Sequence, residues 1–240
     1  MQQLIAFNPR PRIERIDLVP GQACLVIDDA LLEPERLVEF AAAQSAAFQR
    51  VDYNAYPGLL LPTPGRISEA LDAFFTEHVR RFFDARRVQR MHSRLALVTL
   101  PPRELKPWQC ICHSDRFDLG EQQSIQASVL YLFEDAALGG TGFYVPALPP
   151  HQMQQVFADA NRLTPAEFTR RHGVPQAYLC DSSRCFRRVG GVDAKWNRLI
   201  FYDGAMLHSG DIRLPERLSA DPRRGRLTLN GFFTSRRHAR

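Results

Sequence analysis

From residue 92 onward the chain is written in short extended runs, and that texture limits the fold more than any other feature. The runs are His92 to Leu100, Trp108 to Asp115, Ile125 to Phe133, Gly142 to Val145, Phe186 to Val189, Asn197 to Tyr202, Met206 to Asp211 and Arg226 to Thr234. Gly and Pro turns separate them, which predicts antiparallel sheets packed face to face as a jelly roll. The last run alternates cleanly, with Arg226, Thr228 and Asn230 on one face and Leu227, Leu229 and Gly231 on the other.

The residues before this region read differently. Residues 1 to 21 form an irregular arm punctuated by Pro9, Pro11 and Pro20, with a short edge strand at Ile13 to Leu18. Cys24 to Asp29 is a short apolar strand, and Glu33 to Phe40 opens a helix with Pro34 near its first position. A Pro/Gly-rich loop from Tyr56 to Gly65 follows. Ile67, Leu71, Phe74, Phe75, His78, Phe82 and Phe83 then recur at helical spacing, so His78 reads as a packing residue on a core-facing stripe. The expected class is mainly β with flanking helices around a double-stranded β-helix. The expected layout is a single domain over 1–240, with arm and covering helices in 1–90 and the jelly-roll core in 91–236.

Residues 147–185 interrupt the strand texture. Thr164-Pro165-Ala166-Glu167 is a capping-box pattern with Pro at the first helical position, and a second helix is expected near Gln152 to Asn161. An insertion this long between strands is expected to be a lid over the mouth of the barrel, with a helical decoration packed on the outside as the alternative.

Charge and cysteine usage exclude some classes. The chain has 240 residues, 45% of them apolar, and a net charge of +5 from 31 basic and 26 acidic side chains. Much of the excess sits in Arg223-Arg224-Gly225-Arg226 and in the tail from Ser235 to Arg240, which reads as a solvated basic tail more readily than as a nucleic-acid surface. Five cysteines without a repeating frame argue against a disulfide scaffold and for a reducing, cytoplasmic setting. Cys180 and Cys185 are near enough in sequence to meet across a loop. No basic-then-apolar leader and no run of apolar residues long enough to span a bilayer is present, so export and membrane insertion are not expected.

The chemistry is concentrated in two places. In Trp108-Gln109-Cys110-Ile111-Cys112-His113-Ser114-Asp115, read as extended, His113 and Asp115 share a face and can grip one ion. Cys110 and Cys112 then belong with packing. His208, in Phe201 to Gly210 after an apolar run and a turn, supplies a third ligand, and two histidines with one carboxylate make a facial set suited to non-haem Fe(II). A hydrolytic zinc site uses similar ligands, and a buried hydrogen-bonded His–Asp pair needs no ion at all. Arg226 with Thr228 suits a dicarboxylate, and the spacing leaves Arg223 and Arg224 as alternatives.

In these residues the chain resembles the Fe(II)/2-oxoglutarate-dependent dioxygenases, in particular the prolyl-4-hydroxylase-like branch and its bacterial relatives, over roughly residues 22 to 235. The family pattern of His-x-Asp, a distant His, and Arg or Lys followed two residues later by a hydroxyl residue falls on His113, Asp115, His208, Arg226 and Thr228. The His-to-Arg spacing is longer than is usual in the family. The resemblance implies iron on His113, Asp115 and His208, and 2-oxoglutarate on Arg226 and Thr228. Tyr131 resembles the family's cosubstrate-binding hydroxyl and reads nearly as well as a core tyrosine; Gly139-Gly140 resembles the Gly-rich turn beside the site. It implies hydroxylation of a small molecule, amino acid or peptide side chain, with 2-oxoglutarate decarboxylated to succinate and ascorbate as an auxiliary reductant. Two rivals stand beside this: a nucleic-acid demethylase of the AlkB kind, which typically carries a second arginine where Asn230-Gly231-Phe232-Phe233 stands here, and a non-catalytic jelly-roll binding module. Oligomeric state and substrate identity leave no mark in the sequence.

Overall fold

Ten strands assemble into two antiparallel sheets. The computed structural model describes residues 4–51, 56–116 and 119–238. Strands β1 (Ile13–Val19), β2 (Gln22–Ile27), β3 (Gly58–Pro62), β4 (Arg87–Val98), β5 (Gln123–Tyr131), β8 (Leu199–Asp203) and β10 (Arg226–Arg236) make the large sheet, in the order β1-β2-β8-β5-β10-β4-β3. The small sheet has the order β7-β6-β9, from β6 (Thr141–Pro146), β7 (Phe186–Val192) and β9 (Leu207–Gly210). His113 adds a single bridge to His208 at the free edge of β9. From β4 onward the path therefore crosses from large sheet to small, back at β5, across to β6 and β7, back at β8, across to β9 and back at β10. That alternation is a double-stranded β-helix.

Strand alternation sorts the side chains. Cys24 and Val26 of β2, Tyr131 of β5, and Ile200 and Tyr202 of β8 meet Phe143 and Val192 of the small sheet in the layer between the sheets. On the other face of the large sheet, Leu25, Ile27, Phe201, Leu227, Leu229 and Phe233 pack against α1 (Glu35–Ala43) and α2 (Gly65–Phe74). Phe75 stacks on Phe233 with ring centroids 4.2 Å apart. Burying such a ring fully is worth roughly 1.5–3 kcal/mol. The stripe read from Ile67 onward is core through Phe75, with Phe83 partly buried against it, whereas Phe82 is exposed; the helix continues past Phe74 through a wider turn at Phe75–Val79 and a tight turn at Arg80–Phe82.

Two expectations change. Trp108 to Asp115 is no strand: Pro107–Gln109 forms a tight turn, fixed where the Lys106 N–H donates to Gln109 Oε1 at 2.9 Å, and only His113 pairs. The expected loop from Tyr56 to Gly65 contains β3, whose consecutive leucines pair with β4 at the sheet edge, where Pro62 costs no ladder bond. The strands expected at Ile13 to Leu18 and Cys24 to Asp29 are β1 and β2, and with β3 they extend the large sheet. Met1 to Gln3 of the N-terminal arm, and Ala239 and Arg240 of the basic tail, lie outside the described residues.

The insertion forms α3 (Pro150–Ala160) and α4 (Pro165–His172). Thr164 and Glu167 make the expected capping box, with the Thr164 N–H donating to Glu167 Oε2 at 3.0 Å and the Glu167 N–H to Thr164 Oγ1 at 3.4 Å. Met153, Val156 and Phe168 pack with Leu105, Cys110 and Cys112. The helices buttress the 98–112 segment from outside; they do not lie over the cavity described next. Their apolar faces find a ready partner in that segment, which is why they dock there.

Candidate metal centre

Two backbone hydrogen bonds bring the ligands together. The His113 N–H donates to the His208 carbonyl at 3.0 Å, and the His208 N–H returns the bond at 2.8 Å. The Asp115 N–H donates to the Gly204 carbonyl at 2.7 Å, in the turn between β8 and β9. Ligand atoms of His113, Asp115 and His208 consequently lie within 4.8 Å of one another. His208 Nε2 is 3.4 Å from Asp115 Oδ2, and His113 Nε2 is 3.9 Å from Asp115 Oδ1.

The electrostatics suit a cation. His208 is 6% exposed, and its Nδ1 lies 2.8 Å from the Met206 carbonyl, so Nδ1–H donates and Nε2 is left with its lone pair toward the cluster. Burial pushes His208 down to about 4, against the bond to Met206. His113 keeps 45% of its side-chain surface open toward the cavity mouth, and desolvation there, with His208 beside it, pushes it down to about 4. Burial raises Asp115 to about 6, against the pull of His113 and Arg94. At neutral pH the set is two uncharged imidazoles and a carboxylate, the protonation state that a metal requires. Asp115 Oδ2 is buried and makes no hydrogen bond among the described residues. A buried carboxylate oxygen left in this way calls for a partner, and a divalent ion between the three side chains supplies one. Cys110 and Cys112 are buried in the opposite direction, and all five cysteines are free, so Cys180 and Cys185 are not bridged.

The cluster opens into a cavity whose walls also carry Arg226 and Thr228. Arg226 is 5% exposed; its Nε donates to the Gly139 carbonyl at 2.9 Å and its Nη2 to the Gly140 carbonyl at 2.7 Å. The two glycines are required by their own backbone neighbours, the carbonyls of Asp211 and Val192. Gly139 has φ 91°, and a Cβ on either glycine would lie 2.0 Å from a backbone oxygen. Arg223 is turned to the surface, paired with Glu39 at 2.6 Å, and Arg224 is exposed. Thr228 Oγ1 makes a long bond of 3.5 Å to the Ala96 carbonyl. Tyr131 stands one layer behind the wall: it is fully buried, its hydroxyl lies 2.8 Å from Thr141 Oγ1, and Thr141 is the residue that reaches the cavity.

The family model described as a family of unknown function, DUF6445, matches residues 9–233. The chain belongs to that family. Among curated proteins no sequence matches it. The solved structures similar to this DUF6445 chain include the non-heme alpha ketoglutarate dependent epimerase SnoN from nogalamycin biosynthesis, at 11% identity and TM-score 0.45, covering 88% of this chain and 78% of that one. HygX from Streptomyces hygroscopicus, with nickel and 2-oxoglutarate bound, is similar at 11% identity and TM-score 0.44, covering 89% of this chain and 82% of that one. Likeness at this level is one of shape and carries no reaction across.

Several cavity residues of the DUF6445 chain escape a reading of the sequence. Arg94, Tyr56, Tyr178 and Tyr202 all line the cavity. Tyr178 is the single residue of the insertion that does so among the described residues, and its hydroxyl donates to the Leu100 carbonyl at 2.7 Å. For Arg94 a signal existed: it is the charged residue just before the apolar run Leu95 to Val98 that ends β4, and period two puts it on the face of Val98, which lines the cavity. No helix among the described residues is long and apolar enough to cross a membrane.

Proposed function

We propose that this protein is an Fe(II)- and 2-oxoglutarate-dependent oxygenase that hydroxylates a small molecule, an amino acid or a peptide side chain, in the manner of the prolyl-4-hydroxylase-like branch. The observation that carries the reading is the buried, unpartnered Oδ2 of Asp115 facing two uncharged imidazoles in a cavity that also holds Arg226. Bound iron would supply dioxygen activation, with 2-oxoglutarate giving up electrons as it is decarboxylated to succinate. His113, Asp115 and His208 would hold the ion, and the Met206 carbonyl fixes which nitrogen of His208 is offered. Arg226 spends two donors on the Gly-Gly turn and keeps others for the distal carboxylate of the cosubstrate. Thr228 stands two residues away on the same strand face to add a neutral donor. Tyr131 acts at one remove, by orienting Thr141. Apolar walls including Ile111, Val129 and Ile212 limit water near the reacting atoms. Five free cysteines support a cytoplasmic setting.

The test is succinate release on adding Fe(II), ascorbate and 2-oxoglutarate, together with calorimetric Mn(II) titration. The expected outcome is slow uncoupled succinate formation and Mn(II) binding, both lost in Asp115→Ala and His208→Ala. Unchanged Mn(II) affinity in both variants, or no binding by the wild type, overturns the reading.

A further inference from the structure

Arg94 is a cavity cation that the proposed chemistry leaves unused. It stands opposite Asn230 across β4 and β10, while Arg226 stands opposite Val98. Four residues of strand separate the two rungs, about 13 Å, so the two guanidinium groups serve different stretches of one cavity. The Arg94 guanidinium carbon lies 4.8 Å from the Phe232 ring centre, which holds the head flat against an apolar face. Its Nε is buried without a hydrogen-bond partner, and no ion pair among the described residues includes it. Asn230 Oδ1 and Trp108 Nε1 are also buried without partners and line the same cavity. Groups of this kind are satisfied by water or by a ligand.

Charge balance narrows the ligand. A divalent ion and Arg226 together are neutralised by Asp115 and the two carboxylates of a keto diacid. Arg94 then remains as one uncompensated cation in a cavity walled largely by Trp108, Ile111, Val129, Ile212 and Phe232. We propose that the substrate is a monocarboxylate with an apolar body, its carboxylate on Arg94 with Trp108 Nε1 as a further donor, and a hydroxyl or amine of the same molecule on Asn230 Oδ1. This rests on the iron and 2-oxoglutarate reading, which assigns the other charges. A guanidinium stacked on an aromatic face keeps its in-plane N–H fork for a carboxylate, which a Lys ammonium could not match.

Phenylacetate and its neutral isostere phenylacetamide, titrated into protein loaded with Mn(II) and 2-oxoglutarate, test it. The acid is expected to bind about tenfold or more tightly than the amide, the margin of a charged hydrogen bond. Arg94→Gln is expected to erase that preference without weakening the amide. Asn230→Asp, which leaves Arg94 in place but sets a carboxylate opposite it, is expected to erase it too. Equal affinity of acid and amide in the wild type, or a preference that survives both substitutions, overturns the proposal. Absence of Mn(II) binding would tell against the iron reading separately. The acid–amide comparison is then made on ion-free Arg226→Ala protein, where Arg94 is the arginine left on the cavity wall among the described residues, and decides by the same outcomes.

Discussion

Arg226 has two tasks, and its substitution should separate them. It satisfies the carbonyls of Gly139 and Gly140, and it is placed to meet a carboxylate in the cavity. Arg226→Ala is expected to cost ~2–5 kcal/mol of 2-oxoglutarate affinity in Mn(II)-loaded protein, the usual range for truncating one side of a buried charged pair. Arg226→Lys keeps the charge but not the fork, and should fall between wild type and Ala. Arg223→Ala and Arg224→Ala, both on the surface, should leave the affinity unchanged when titrated in the same way. Alternation in β10 made Arg226 legible, since Leu227 and Leu229 must face the helices and so turn Arg226 inward. The same logic stopped short at Tyr131. Period two says which face a side chain takes, not whether a residue from the opposite sheet, here Thr141, stands between it and the cavity.

Elements differ in what holds them. Helices α3 and α4 are tied by one buried carboxylate: Asp159 is unexposed and accepts from Gln155 at 2.9 Å and Arg162 at 2.9 Å, meets His172 at 2.9 Å and pairs with Arg171 at 3.2 Å. Burial pushes this carboxyl up, but the bonds from Gln155, His172 and Arg162 and the charge of Arg171 outweigh it and hold it at about 2. A carboxyl whose folded pKa is depressed contributes fully above its unfolded value, about 4, and loses that contribution as pH falls through the folded value. The stability advantage of wild type over Asp159→Asn, read from urea midpoints, should therefore be full at about pH 5 and shrink toward about pH 2. The helices themselves were legible from the capping box and the Pro at the first turn. Their position was not, because a capping pattern fixes where a helix starts and says nothing about which surface its apolar face will meet. The 108–115 segment, read as extended, begins instead with a turn made by Pro107 and the Gln109 side chain.

For the whole molecule, the ion should add stability without being required for folding. The core under α1 and α2 is closed by apolar side chains away from the ligand cluster, and the core between the sheets meets that cluster through Tyr202, whose ring centre lies 4.7 Å from that of His208. Chelator-treated protein is expected to keep its circular dichroism spectrum. Mn(II) at a hundred times its dissociation constant should raise the melting temperature by about 5–10 °C, from ~2.7 kcal/mol of linkage spread over a chain of this size. Loss of secondary structure on chelation would contradict this division. The alternation between sheets was legible from run lengths and turns, whereas the pairing order was not, since antiparallel strands of similar length can neighbour one another in many ways. The reciprocal bonds between His113 and His208 have a consequence for assembly. Two segments far apart in sequence donate to each other across one rung, with no ladder on the His113 side to hold it alone. With the Asp115 N–H bond to the Gly204 carbonyl as a second hold, this rung closes the edge of the small sheet as a latch whose catch is the pair of metal-facing residues. An ion gripping both rings would lock the latch from the side-chain end, tying capture of the ion to the last closure of the barrel.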